Sequence, residues 1–204
     1  MLHAGLTGGI ASGKSFVAHL LRDMGACIID ADRIVHTLLE PGQPAWQAVR
    51  LHFGETVLLP DGSIDRRKLG DIVFLNDNER AWLNNELHPR VFDAYQSQVR
   101  GMHNRPLDTV IILDAALLIE TGYYKNMEKI IVVYAKPEQQ MERLMSREGM
   151  TKEQAHARIR TQLPMKEKRG YADYVIDNTG TREQTEEQVR DLYEQLRQEA
   201  ERNQ

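Results

Sequence analysis

The chain carries Gly8-Gly9-Ile10-Ala11-Ser12-Gly13-Lys14-Ser15 near its start, and this stretch matches the phosphate-binding pattern G-x-x-x-x-G-K-[ST]. An apolar run, Leu2 to Leu6, leads into it. Apolar residues at helical spacing follow it: Phe16, Val17, Leu20, Leu21 and Met24. The motif therefore lies in the context that it requires, on a glycine-rich turn between a strand and the N-terminus of a helix.

The residue types of this turn suit a nucleotide phosphate. Glycine lets the backbone take angles that a Cβ forbids and lets it close around an anion. We expect the amides of Ser12 to Phe16 to point at phosphate oxygens, an attraction that the positive end of the helix dipole strengthens. Lys14 would reach the β- and γ-phosphates, and the Ser15 hydroxyl would ligate Mg²⁺. The alternative, a glycine-rich turn without a ligand, leaves the complete motif unexplained.

Composition indicates one compact domain with an elaboration. The 204 residues are 41% hydrophobic and 27% charged, with a formal net charge of −4, which is typical of a globular chain. Because basic residues are not in excess, we expect neither nucleic acid nor a membrane as a partner, and a polyanionic substrate must be held by a local basic site. No obligate protein partner is predicted. The absence of a signal-like segment and of an apolar run near 20 residues predicts a cytoplasmic protein.

The apolar runs predict an α/β fold with a five-stranded parallel sheet. Besides residues 2–6, strands are expected at 26–29, 109–114, 129–135 and 174–176, because continuous apolar runs are typical of buried parallel strands. Helices are expected at 137–147, at 151–163 and from about Arg182 onward. Cys27 is the single cysteine. An internal disulfide is therefore excluded, and a buried structural thiol is favoured over a nucleophile.

Residues 33–105 are predicted to form a helical insert. Helices are expected at 34–39, 44–53, 67–74 and 77–87, with a turn at 59–63 and a further helix opening at Pro89, since proline is tolerated in a first helical turn. A helical stretch of about 70 residues is too long for an ordinary crossover between parallel strands. We therefore expect a subdomain that holds a second substrate.

Acidic residues follow two of the predicted strands. Asp30 and Asp32 lie at the carboxyl edge, where parallel sheets bind ligands, and strand alternation would turn both carboxylates to one face. Either could accept a hydroxyl proton or hold Mg²⁺, or Asp32 could merely cap the helix that begins near Arg33. Asp114 ends an apolar strand, and beside a phosphate loop such a residue binds Mg²⁺ through Ser15 or water. The alternative for Asp114 is a residue of a strand-end turn.

Basic residues supply further candidates. Arg143 and Arg147 are four residues apart on one predicted helix and could stabilise charge on transferred phosphoryl oxygens. Spacing alone favours exposed ion pairs with nearby glutamates instead. His88 and the cluster Arg66-Arg67-Lys68 could contact a ligand. The seven histidines show no metal-ligand spacing.

Taken together, these residues resemble the dephospho-CoA kinase family, from about Leu6 to Gly180. The resemblance rests on the order and spacing of several short motifs rather than on any single one. They are Leu6 to Ser15, Asp30-Ala31-Asp32, Asp65-Arg66, Leu87-His88-Pro89, Asp114 with Leu117-Leu118-Ile119-Glu120, Gln140 with Arg143-Leu144 and Arg147, and Ala172 to Asn178.

The resemblance implies transfer of the γ-phosphoryl group of ATP to the ribose 3′-hydroxyl of dephospho-CoA, the last step of coenzyme A synthesis, with ATP and Mg²⁺ as cofactors. It implies a single phosphate-loop kinase domain over residues 1–204. The helical insert at 33–105 would bind the acceptor, and residues 140–170 would form a mobile lid.

The resemblance also implies roles for single residues. Asp32 would be the catalytic base, Arg143 or Arg147 would reach the ATP phosphates on lid closure, and Asn178 would lie near the adenine. The acceptor side would be lined by Thr7, Arg66, His88 and the turn from Leu117 to Glu120. The family usually has proline where this chain has Ala116, which loosens the turn expected after Asp114.

Two other functions stay open at this point. A related kinase acting on a nucleoside or nucleotide would share the loop and the lid and differ in its acceptor. A nucleotide-dependent switch fits less well, because the chain has no Asn-Lys-x-Asp guanine-binding motif and because Asp32 and the lid arginines would have no purpose in it.

Overall fold

The computed structural model describes residues 1–102, 104–106 and 108–202. The chain divides into two compact units. We call Met1–Ile29 together with Asn104–Gln204 the sheet unit, and Asp30–His103 the helical unit.

A five-stranded parallel sheet organises the sheet unit, which confirms the predicted fold class. Its strands are β1 (Leu2–Gly8), β2 (Cys27–Asp30), β3 (Val110–Asp114), β4 (Lys129–Tyr134) and β5 (Tyr174–Asp177). They lie in the order β2-β3-β1-β4-β5. The central strand β1 pairs with β3 on one side and with β4 on the other. Because β1 leads directly into the phosphate-binding motif, the motif lies at the carboxyl edge of the sheet. At that edge the ends of β3 and β4 lie on either side of it.

The helices are numbered along the whole chain. In the sheet unit they are α1 (Lys14–Asp23), α6 (Pro137–Glu148), α7 (Lys152–Ile159), α8 (Met165–Arg169) and α9 (Arg182–Arg202). In the helical unit they are α2 (Ala31–Leu38), α3 (Pro44–Phe53), α4 (Arg66–Leu75) and α5 (Asp77–Arg100). Short 3-10 turns occupy Glu55–Val57 and Tyr123–Asn126. Helix α8 was not predicted from the sequence.

The core of the sheet unit lies between the sheet and the pair α1 and α9. Alternate residues of the strands, such as Leu2 and Leu6 of β1, pack there with Leu21 of α1 and with Val189 and Leu196 of α9. In β3 and β4 the intervening residues Ile111, Leu113, Ile130 and Val132 are buried as well, as expected for central strands covered on both faces. Helix α9 therefore docks on the sheet by its apolar stripe.

In the helical unit, the helix break predicted at Pro89 is wrong, because Pro89 lies inside α5, an uninterrupted helix of 24 residues. Proline removes an amide donor and crowds the carbonyl four residues earlier, at a cost of about 3 kcal/mol inside a helix. Leu87, Val91 and Tyr95 are buried on both sides of Pro89, and their burial holds the helix together across it. A separate apolar cluster forms the core of this unit, with Leu39, Ala45, Val49, Val57, Ile64, Leu69 and Leu87.

Candidate active site

The phosphate loop, Gly8 to Ser15, connects the end of β1 to the first turn of α1. Gly13 is the N-cap of α1 and has a φ of 97°, in the left-handed region that glycine favours. Ala11 also has a positive φ, 56°, which is uncommon for a residue with a Cβ. The amide of Ser12 donates to the Gly9 carbonyl and that of Phe16 to the Gly13 carbonyl, both at 3.0 Å, so these two of the five amides expected to bind phosphate are already bonded. Because Gly13 supplies no capping side chain, the amides of Lys14 and Ser15 at the start of α1 are left for an anion.

Lys14 and Asp114 form an ion pair beside the loop. The Nζ atom of Lys14 lies 2.5 Å from Oδ1 of Asp114, the last residue of β3. Their side chains are only 16% and 11% exposed. The pairing of β1 with β3 sets Asp114 beside Leu6, so strand register alone brings this carboxylate to the loop. Ser15, the other predicted Mg²⁺ ligand, is exposed on the first turn of α1.

Arg143 of α6 bonds to the loop backbone rather than to an exposed glutamate. Its Nη1 donates to the carbonyls of Ala11 at 3.1 Å and Ser12 at 3.3 Å, and its Nη2 donates to the carbonyl of Asn178 at 3.0 Å. Arg147, one turn later, is exposed. The two predicted lid arginines therefore lie in different surroundings, although one helix carries both.

Asn178, directly after β5, contacts the loop from a buried position. Its Nδ2 donates to the Ser12 carbonyl at 2.7 Å, and its Oδ1 accepts a hydrogen bond from the Thr185 hydroxyl at 3.0 Å. A Cβ on Gly13 would overlap with this amide nitrogen. Gly13 is thus needed both for its backbone angle and for the close approach of Asn178.

Three further loop contacts were missed in the sequence analysis. Gln140 of α6 donates from Nε2 to the Ile10 carbonyl at 2.6 Å, and the Ile10 amide donates to Oε1 of Gln162 at 2.8 Å. The Gly9 amide donates to the Met165 sulfur at 3.1 Å. Only Gln140 gave a signal: it lies one turn before Leu144 on the face of α6 that is buried, where an apolar residue is expected.

Of the predicted acceptor residues in the sheet unit, two are hydrogen-bonded internally. Thr7 has no exposed surface, and its hydroxyl donates to the Ala116 carbonyl at 3.1 Å. Oε1 of Glu120 accepts the amide of Leu163 at 3.0 Å. Leu117, by contrast, is 44% exposed.

The helical unit contains Asp32, Arg66 and His88. The strand alternation expected for Asp30 and Asp32 is wrong, because β2 ends at Asp30 and α2 begins at the next residue. The cap of α2 is Asp30, whose Oδ1 accepts the Arg33 amide at 3.0 Å, and Asp32 is exposed in the first turn. Arg66 is exposed at the start of α4. Burial lowers the pKa of His88 within α5.

The chemistry of the site fits a divalent cation held largely by a nucleotide. Within the described residues, no group of three or more His, Cys, Asp or Glu side chains is arranged around a metal position. Mg²⁺ in nucleotide sites uses one or two protein oxygens together with phosphates and waters, so Ser15 and Asp114 are sufficient protein donors. In the part of the chain that the structure covers, no helix combines the length and apolarity needed to cross a membrane.

The fold and the loop define the class of protein. A parallel sheet with a phosphate loop between β1 and α1, and an acidic residue at the end of β3 beside the loop lysine, is the architecture of phosphate-loop kinases. The dephospho-CoA kinase of Campylobacter jejuni has this fold, with a TM-score of 0.69 and 27% identity over 96% of this chain and 97% of that one. TT1252 of Thermus thermophilus gives a TM-score of 0.81 at 31% identity, with the same coverage.

Sequence comparison identifies the family. The model of the family described as dephospho-CoA kinase matches residues 2–184. A dephospho-CoA kinase of Carboxydothermus hydrogenoformans is 46% identical over 91% of this chain and 89% of its own length. The chain belongs to the dephospho-CoA kinase family, and the resemblance seen in the sequence is confirmed. It is therefore a kinase, for which ATP is the co-substrate.

Proposed function

We propose that this chain transfers the γ-phosphoryl group of ATP to the 3′-hydroxyl of the ribose of dephospho-CoA, which gives coenzyme A and ADP. The family match over residues 2–184 supports the acceptor. The observation that carries the reaction class is the loop lysine: Lys14 lies at the mouth of the phosphate loop, paired with Asp114. That pairing brings a cation and a potential metal ligand together where the phosphates would bind.

The donor side acts through Lys14, the loop amides and the lid arginines. The amides of Gly13, Lys14 and Ser15 would bind the phosphates, and Lys14 would exchange Asp114 for the β- and γ-phosphate oxygens. Arg143 and Arg147 would stabilise the charge that develops on the transferred oxygens. Arg147 is available for this in its exposed position, whereas Arg143 must first leave the carbonyls of the loop.

Mg²⁺ would be held by Ser15 and Asp114 together with the nucleotide. When bound, it would neutralise phosphate charge and orient the transferring group. Lys14 would release the Asp114 carboxylate when it moves to the phosphates, so one exchange would make both groups available. The test of this assignment is the Mg²⁺ dependence of phosphoryl transfer in Asp114→Asn.

Asp32 would act as the base for the acceptor hydroxyl. Its carboxylate is exposed, and the capping duty that could have occupied it is met by Asp30. A carboxylate within hydrogen-bond reach of a hydroxyl can accept its proton as the bond to phosphorus forms. If transfer is largely dissociative, orientation of the hydroxyl contributes more than proton removal.

The acceptor would contact Arg66, His88 and Leu117. The Arg66 guanidinium suits an anionic group of dephospho-CoA, and the apolar surface of Leu117 suits its uncharged parts. Asn178 would lie near the adenine of ATP. Thr7 and Glu120 would support the acceptor side through the turn after β3 that they hold. The segment 140–170 would close over ATP and exclude water.

We propose a cytoplasmic location, because ATP and dephospho-CoA are intracellular metabolites. We also propose that the chain has no obligate protein partner.

The deciding experiment incubates the purified chain with ATP, Mg²⁺ and dephospho-CoA and follows the acceptor by mass spectrometry. The expected product carries one added phosphoryl group at the ribose 3′ position, and it is absent when EDTA replaces Mg²⁺. If ATP binds and dephospho-CoA is unchanged, the acceptor is wrong, and a panel of nucleosides and nucleotides replaces it.

A further inference from the structure

Lys168 is a fully buried lysine to which the proposed reaction gives no role. It lies on α8, and its side chain has no exposed surface. Lysine is almost never buried completely unless its charge is paired. Its Nζ donates to Oε1 of Glu120 at 2.9 Å and to the Ala116 carbonyl at 2.8 Å. A charged group is thus held inside the sheet unit by two specific acceptors.

Both acceptors belong to the segment that begins directly after Asp114. The Ala116 carbonyl receives a second hydrogen bond, from the Thr7 hydroxyl at the end of β1. Glu120 receives a second one from the Leu163 amide, just before α8. These bonds join the end of β1, the turn after β3 and α8 in one hydrogen-bond network, with Lys168 as its central donor.

The same part of the chain also contacts the phosphate loop. Met165, at the start of α8, accepts the Gly9 amide, and Gln162 accepts the Ile10 amide. Lys168 is also within electrostatic reach of Lys14: burial lowers the pKa of Lys168, the hydrogen bond and charge of Glu120 oppose that shift, and the charge of Lys14 adds to it. Helix α8 therefore contacts the loop through Met165 and the turn after Asp114 through Lys168.

We propose that Lys168 is a positioning residue for phosphoryl transfer, which holds α8 and the turn after Asp114 in the arrangement that aligns Lys14 and Asp114 with the transferring phosphate. This inference rests on the proposed function. It adds to that function a set of residues outside the phosphate-binding motif that would position the reacting groups. A small displacement at such a site affects the rate steeply, since a misplacement of about 1 Å can cost about 10²-fold.

The test compares Lys168→Met, which keeps the length of the side chain and removes its charge and donors, with Lys168→Arg, which retains both. Lys125→Met is the control for the same chemical change, because Lys125 is exposed in the turn Tyr123–Asn126 and lies outside the segment 140–170. We expect Lys168→Met to lower kcat about 10- to 100-fold with a KM for ATP within about threefold of the parent. Lys168→Arg should recover part of that loss, and Lys125→Met should match the parent.

The inference is overturned if folded Lys168→Met keeps kcat within about twofold, or if Lys168→Arg is impaired as severely as Lys168→Met, since packing alone would then explain the loss. If Lys168→Met does not fold, Glu120→Gln decides: a kcat lowered about threefold or more supports the inference, and an unchanged kcat overturns it. The parent is assayed in parallel. A parent that leaves dephospho-CoA unchanged refutes the proposed acceptor, and the same variants are then compared by slow ATP hydrolysis.

Discussion

Replacing Gly13 by alanine tests whether Asn178 holds the phosphate loop in shape. A Cβ at this position would overlap with the Asn178 amide nitrogen, so the amide must move. Its 2.7 Å hydrogen bond to the Ser12 carbonyl would then be lost. Because Asn178 and Ser12 are both buried, water cannot easily replace the missing partner.

Two costs add in this variant. Holding alanine at a φ of 97° costs about 1–2 kcal/mol, the usual range for an L-residue in a left-handed conformation. Leaving a buried donor and acceptor unsatisfied costs about 1–3 kcal/mol. The sum of about 2–5 kcal/mol corresponds to a melting temperature about 4–20 °C lower, at about 2–4 °C per kcal/mol for a chain of this size.

Gly149→Ala is the matched control. Gly149 also has a positive φ, 63°, and among the described residues no atom lies within 4 Å of the Cβ that it would gain. Gly149→Ala should therefore lose only the free energy needed to hold alanine at a positive φ. We expect the melting temperature of Gly13→Ala, measured by circular dichroism, to be well below that of Gly149→Ala. We also expect calorimetric titration to show that Gly13→Ala binds ATP at least about tenfold more weakly than the parent, which corresponds to a loss of about 1.4 kcal/mol.

In an Asn178→Ala background the overlap is gone, so the added cost of Gly13→Ala in free energy of unfolding should fall to that of Gly149→Ala. Equal melting temperatures for the two single variants would refute the reasoning.

Three other changes test separate parts of the molecule. Asp32→Asn should lower kcat by about 10²–10⁴ in the coupled ADP assay if Asp32 is the base; a raised KM for dephospho-CoA at full kcat would make it a binding residue instead. Ala116→Pro should be neutral or stabilise by about 0.4–1 kcal/mol, because Ala116 is the second residue of the turn closed by the Leu118 amide on the Ala115 carbonyl, where proline fits; a lower melting temperature would contradict this. The hydrogen bond from Tyr174, followed by Lys129, lowers the pKa of Glu199, while burial and this bond raise the pKa of Tyr174 to about 12. The stabilisation by Glu199 is therefore present above the ordinary glutamate pKa and lost as pH falls through the lower folded value. Glu199→Gln should cost about 1 kcal/mol at pH 7 and flatten the loss of stability as the pH falls below the ordinary glutamate pKa. Equal pH dependence of the free energy of unfolding in the parent and the variant would argue against the pair.

Much of the sheet unit could be predicted because its signals are local. The phosphate-binding motif fixes a strand, a turn and a helix in sequence order, and the remaining strands are continuous apolar runs of the kind that parallel sheets bury. Asp114 could be identified for the same reason, since a strand's last residue lies at the carboxyl edge wherever the strand sits in the sheet. The order of strands then placed it beside Lys14.

The failures arose where tertiary packing overrides a local rule. Pro89 ordinarily ends or opens a helix, but apolar burial on both sides of it keeps α5 continuous. At the end of β2, only Asp32 was considered as a cap, because the helix was expected to begin near Arg33. Helix α2 begins two residues earlier, at Ala31, so Asp30 is the cap. Helix α8 has only five residues, too few for a periodic pattern to identify it.

The contacts that hold the phosphate loop could not be predicted for a different reason. Gln140, Arg143 and Asn178 bond to carbonyl oxygens of the loop, and Gln162 and Met165 bond to its amides. Every residue except proline has both of these backbone groups. The sequence of the loop therefore does not indicate which side chains will bond to them.

The same contacts bear on how the loop and the proposed lid influence one another. Four of the five bonding side chains lie within residues 140–170, the segment proposed to close over ATP. Movement of this segment must therefore either break bonds to a loop that holds Ala11 and Gly13 at positive φ or move the loop with it. In both cases lid position and loop geometry are coupled through backbone hydrogen bonds. A substitution at Gln140 should consequently alter phosphate binding even though its side chain need never touch the nucleotide.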